Sequence, residues 1–136
     1  MRLTGRGVEA AGDNGGWVVF EVRSPYIIVG RVHELTEPGA IDDAATLYYR
    51  SLGPAEVAVS TDNGLTWKRA GAVKAAGSEL IDLTRLVLGS YGYLVRLMLP
   101  AGSGLGEISL NTWAQLAPVS LPRLFKGENR LKYSTG

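Results

Sequence analysis

The chain has 136 residues, enough for one domain with its own core and too few for two. Its 14 basic and 13 acidic side chains leave a net charge of +1, which gives no long-range pull toward nucleic acid or an anionic membrane surface. It has no cysteine, which excludes disulfides, thiolate metal sites and cysteine nucleophiles.

No apolar stretch approaches the ~20 residues of a membrane span, so none is expected. Met1 opens a polar, Gly-rich segment instead of a charged and then apolar leader, so no signal peptide is read there. A secreted location, extracellular or periplasmic in a bacterium, would make this chain a piece excised from a larger protein. The 18 glycines are spread among short apolar runs, which suggests many turns in an all-β domain.

In chain order, residues 1–16 are polar and end in Gly12-Asp13-Asn14-Gly15-Gly16, a flexible lead-in. Trp17–Arg23 alternates, with Val18, Phe20 and Val22 on one face and Trp17, Val19, Glu21 and Arg23 on the other. Tyr26–Val32 is a β-branched run and reads as a buried strand. His33–Ala45, acidic with Pro38-Gly39 at its middle, reads as a loop. Thr46–Ser51 is a short strand, and Gly53-Pro54 turns the chain. Glu56–Ser60 follows with Val57 and Val59 inward, then a turn at Asp62-Asn63-Gly64 and an antiparallel return over Trp67–Ala72.

Ala75–Ser78 is loop, and Glu79–Leu88 fits a short strand followed by one helical turn. Tyr91–Leu99 is the longest strand expected, with Tyr93, Val95, Leu97 and Leu99 on one side. Pro100–Gly106 is a loop, and Glu107–Leu116 a strand with Ile108, Leu110 and Thr112 inward. Pro118 to Pro122 bends the chain, and Gly127-Glu128-Asn129 leads into a last strand, Arg130–Ser134. The basic residues Arg123, Lys126, Arg130 and Lys132 alternate with apolar ones as a solvent face would. About eight short strands without an internal repeat fit an antiparallel β-sandwich with jelly-roll order, filling residues 1–136 as a single domain.

Residues 60–67, Ser-Thr-Asp-Asn-Gly-Leu-Thr-Trp, match S-x-D-x-G-x-T-W. This octet resembles the Asp-box, a β-hairpin signature of sialidases and other extracellular, sugar-related β-proteins. The wider order of signals resembles the galactose-binding-like jelly rolls and related carbohydrate-binding modules attached to bacterial extracellular enzymes. The stretches that carry this likeness are Tyr26–Val32, the octet, Tyr93–Leu97, Leu110–Gln115 and Leu121-Pro122-Arg123-Leu124 with Gly127, Asn129 and Tyr133. The resemblance implies non-catalytic glycan binding and a turn-holding role for Asp62, with Trp67 packed back over the hairpin.

An enzyme would need a catalytic constellation, and no motif in the sequence marks one; a small standalone enzyme using two of the 13 acidic side chains as a glycosidase pair is the third and weakest alternative. His33 is the only histidine, and no G-x-S-x-G elbow precedes a helix. A sialidase propeller needs far more chain and several boxes. The Gly-rich pieces 12–16 and 102–106 lack the Gly-Lys-Ser/Thr of a phosphate loop. Glu34, Glu37, Asp42 and Asp43 read as solvated loop acids. A structural calcium ion is the alternative for them, although D-x-D-x-D-G spacing is missing. No cofactor is expected.

Sugar rings offer an apolar C–H face to Trp or Tyr and hydroxyls to planar polar side chains. If strands 91–99 and 107–116 are hairpin partners, Arg96 shares an open face with Asn111, Trp113 and Gln115, and Tyr48 and Arg50 join them from a neighbouring strand. Trp17 is a second exposed candidate. The expected partner is therefore an oligo- or polysaccharide. The alternative is an interaction sandwich that packs on a neighbouring catalytic domain of the parent protein.

Overall fold

A two-residue alternation along residues 92–99 organises the molecule. Tyr93, Val95, Leu97 and Leu99 are buried, whereas Leu94, Arg96 and Met98 take the other face. The computed structural model describes residues 2–4, 7–10, 12–33, 40–42, 44–115, 126 and 128. Its strands are β1 (Arg2–Thr4), β2 (Gly7–Glu9), β3 (Gly16–Arg23), β4 (Arg31–His33), β5 (Ala40–Asp42), β6 (Ala45–Ser51), β7 (Ala55–Ser60), β8 (Lys68–Val73), β9 (Gly77–Asp82), β10 (Gly92–Leu99) and β11 (Gly104–Thr112). One helical turn, α1 (Thr84–Val87), precedes β10.

The protein is an all-β sandwich. A five-stranded sheet has the order β1-β2-β11-β6-β9, and a four-stranded sheet has the order β3-β10-β7-β8. Both are antiparallel throughout. The pairing is nested: β2 with β11, β3 with β10, β6 with β9 and β7 with β8. Strands β4 and β5 form a separate two-stranded hairpin between β3 and β6.

The core fills the space between the sheets. Leu47 and Tyr49 of β6 enter it from the first sheet, and Val57, Val59, Val95, Leu97 and Leu99 from the second. Ile28, Leu83 and Val87 close one end, and all three are fully buried. The Tyr93 hydroxyl shares a 2.7 Å hydrogen bond with Thr112 Oγ1, joining β10 to β11 across the layers. Where α1 starts, Thr84 Oγ1 accepts the Ala44 N–H at 2.9 Å, and Asp82 accepts the Thr84 N–H at 2.8 Å. A short side-chain anchor thus lets the chain turn where a strand ends.

Four expectations are corrected. Residues 91–99 and 107–116 are not hairpin partners: β10 lies in the second sheet and β11 in the first. The physical reason is the connection between them, which crosses layers. Gly102 (φ +75°) and a Ser103 N–H to Pro100 C=O bond of 3.0 Å make the turn, and the buried Ser103 hydroxyl donates to the Pro54 carbonyl. Residues 26–32 are not one strand; Ile28 makes an isolated bridge to Ala114, and pairing resumes at Arg31. The 33–45 stretch is not all loop, because Ala40–Asp42 pairs with Arg31–His33. The opening residues, read as a lead-in, supply β1 and β2 to the first sheet. The bend at 118–122, the turn at 127–129 and the strand at 130–134 lie outside the described residues, apart from Glu128.

Burial separates two leucines with the same chemistry. Leu97→Ala opens a cavity at a fully buried site and is expected to cost about 2–5 kcal/mol. Leu80, 69% exposed on β9, should change stability by less than ~0.5 kcal/mol on the same substitution. Urea unfolding monitored by tryptophan fluorescence measures both.

Candidate functional site

The hairpin between β7 and β8 is held by one carboxylate. Asp62 Oδ1 accepts the Ser60 hydroxyl at 2.7 Å and the Thr66 N–H at 2.9 Å, and Oδ2 accepts the Thr66 hydroxyl at 2.5 Å. Ser60 Oγ in turn accepts the Gly64 N–H at 2.9 Å. Asn63 (φ 59°) and Gly64 (φ 87°) adopt the left-handed geometry that such a tight turn demands. These donors hold the Asp62 carboxyl at about 2, below its ordinary 3.8, with the Thr66 hydroxyl and N–H as the largest causes. Asp62 is fully engaged in the turn, as its place in the octet implies.

The turn delivers Trp67 to the outer face of the second sheet. The indole lies against Gly64, where an added Cβ would stand 3.5 Å from Cζ2. Arg96 lies over the same indole, its guanidinium carbon 4.2 Å from the ring centroid. A cation over an indole face contributes about 0.5–2 kcal/mol, more when it is shielded from water. Ala58, the cross-strand neighbour of Arg96 on β7, is small and leaves room for the stack.

Two grooves flank that stack, one at each end of β10. The first holds about 500 Å³ and is lined by Asn14, Trp17, Glu56, Lys74 and Met98, among others. Trp17 is 61% exposed and pairs across the strands with Met98, which pairs in turn with Glu56. The second holds about 450 Å³ and is lined by Glu21, Arg23, Thr61, Asn63, Tyr91 and Leu94, among others. Tyr91 is 62% exposed. With six residues from Trp17 to Arg23 along β3, the grooves are about 20 Å apart. Each sets an aromatic ring beside planar polar side chains, the combination that sugar rings require.

The sequence-derived site residues divide between the two faces of the sandwich. Tyr48, Arg50 and Asn111 do share the outer face of the first sheet, on β6 and β11. There Arg50 stands 4.0 Å from Glu107, and the Tyr48 hydroxyl donates to Ser78 at 3.3 Å. Trp113 and Gln115 follow just past β11. The Trp113 backbone N–H donates to the Ala44 carbonyl and the Trp113 carbonyl accepts the Val29 N–H, and its residue surface is half exposed. The Gln115 N–H bonds the Ile27 carbonyl. Arg96 and Trp17 lie on the outer face of the second sheet, so the single platform expected for Arg96, Asn111, Trp113 and Gln115 does not form.

Sequence reasoning missed Tyr91, Met98, Glu56 and Asn63 as groove residues. Tyr91 was counted into a strand whose alternation would turn it inward; the strand begins one residue later, at Gly92, and frees the ring. Of the acids given the calcium alternative, Glu34, Glu37 and Asp43 lie outside the described residues, and Asp42 is in β5. His33 is the last residue of β4. No protein-family model matches the chain, and neither a curated protein nor a solved structure matches it.

Because Asp62 is more acidic folded than unfolded, it adds stability that is complete well above pH 3.8 and is lost as the pH falls through about 2. Asp62→Asn is therefore expected to lower the urea midpoint at neutral pH. The gap to the parent protein should shrink below pH 3.8 and close near pH 2. A pH series of unfolding curves for both proteins checks this, and a gap constant over that range would exclude the carboxylate as its source.

Proposed function

We propose that this protein is a non-catalytic saccharide-binding β-sandwich, an accessory domain of a secreted protein, and that it binds through the outer face of its second sheet. The observation that carries the reading is the pair of exposed aromatics, Trp17 and Tyr91, each beside a groove with polar edge groups on that face. The nested strand pairing, β2 with β11 and inward from there, adds support, since a jelly roll nests its strands in that manner. The octet's likeness to the Asp-box points the same way. In this reading Trp17 and Tyr91 stack on C–H faces of sugar rings, while Asn14, Glu56, Asn63 and Glu21 meet ring hydroxyls.

The test is affinity electrophoresis over plant, algal and host polysaccharides, followed by calorimetry on whichever glycan retards the protein. Trp17→Ala is expected to weaken binding by about tenfold or more, a loss of roughly 1.4 kcal/mol or above, with unchanged thermal unfolding. Trp113→Ala should leave binding intact. The reverse outcome would move the site to the first sheet, and retardation by no glycan would reject saccharide binding.

A further inference from the structure

We propose that the saccharide carries carboxylates and that Arg96 recognises them; the inference rests on the saccharide-binding reading above. Three arginines occupy the outer face of the second sheet. Arg23 pairs with Glu21 at 2.6 Å, and Arg69 pairs with Glu56 at 3.6 Å. Both acids flanking Arg96 on this face are thus engaged by other arginines. Among the described residues the Arg96 side chain has no ion pair, and its Nε is buried without an acceptor. A guanidinium with five donors and no acceptor seldom stays unpaired on a half-buried surface. Its partner among the described residues is the Trp67 ring, which fixes the plane of the cation and takes up none of its in-plane N–H groups.

The position fits a ligand as well as the chemistry does. Two residues from Arg96 in one direction Met98 lines the first groove, and two residues in the other Leu94 lines the second. Each step is roughly 7 Å along the strand. A sugar chain lying between Trp17 and Tyr91 passes over Arg96, and a uronate carboxylate on it meets a preoriented fork that forms two parallel hydrogen bonds. A neutral sugar in the same track would leave the cation unpaired.

The experiment compares matched pairs of oligosaccharides from galacturonan, mannuronan and glucuronan. Each pair consists of the uronate oligomer and the same oligomer with its carboxylates reduced to hydroxymethyl groups. Calorimetry is expected to show at least one pair in which the uronate form binds about tenfold or more tightly, with the advantage falling as sodium chloride is raised. Arg96→Gln should bring that ratio close to one, whereas Arg96→Lys should keep part of it. An Arg96 that only supports Trp67 would weaken both members of a pair alike. Equal binding of acid and reduced forms, or a ratio unmoved by Arg96→Gln, overturns the inference and leaves the saccharide reading standing. So does retention of neutral glycans with no binding to any uronate. Failure of every saccharide to bind sinks the reading beneath it too. If Arg96→Gln does not fold, the ratio and its salt dependence in the parent protein still decide.

Discussion

The alternation of strand β10 is the constraint on which the rest depends. Its inward side chains, Tyr93, Val95, Leu97 and Leu99, are core residues that cannot leave the interior without cavities or exposed apolar surface. A one-residue slip would bring Arg96 into that interior without a partner, so the register is strongly fixed. The same lock holds Leu94, Arg96 and Met98 outward in a row. Strand β10 also has a hydrogen-bonded neighbour on each side, β3 and β7, so its outer side chains stand on an interior strand of the second sheet. Packing on one face therefore sets the geometry of the other.

The hairpin at residues 60–67 serves that face indirectly. Asp62 closes the turn with donors from Ser60 and Thr66. The closed turn brings Trp67 back onto the sheet, and Trp67 holds Arg96 by its ring. A local motif that does no chemistry thus sets the orientation of a cation on another strand. This is a positioning chain of three links, each short enough to be read from distances.

Much of the fold was legible, because strands with one buried face leave a period of two in the sequence. The alternation in Trp17–Arg23, Glu56–Ser60 and Tyr93–Leu99 fixed faces that the structure keeps, and the helical turn after Asp82 was also expected. What could not be read was layer membership. The Gly-rich stretch after Pro100 has the composition of a hairpin loop, and only tertiary pairing shows that it crosses from one sheet to the other. That single ambiguity split the expected site, sending Arg96 to one face and Asn111 to the opposite one. The short strands at the start of the chain were hidden for a different reason: β1 and β2 are three residues each and carry no alternation long enough to detect.

The nesting of the strands has a consequence for biogenesis. Strand β2, beyond its hairpin with β1, joins the rest of the first sheet through β11, close to a hundred positions further along, and β3 joins the second sheet through β10. As the polypeptide leaves the ribosome, β3 and the β1–β2 hairpin are made long before β10 and β11, the strands that place them in their sheets. Assembly from such distant pairings is slow and leaves sticky edges open for a time. A chaperone that shields those edges would suit a molecule built in this way.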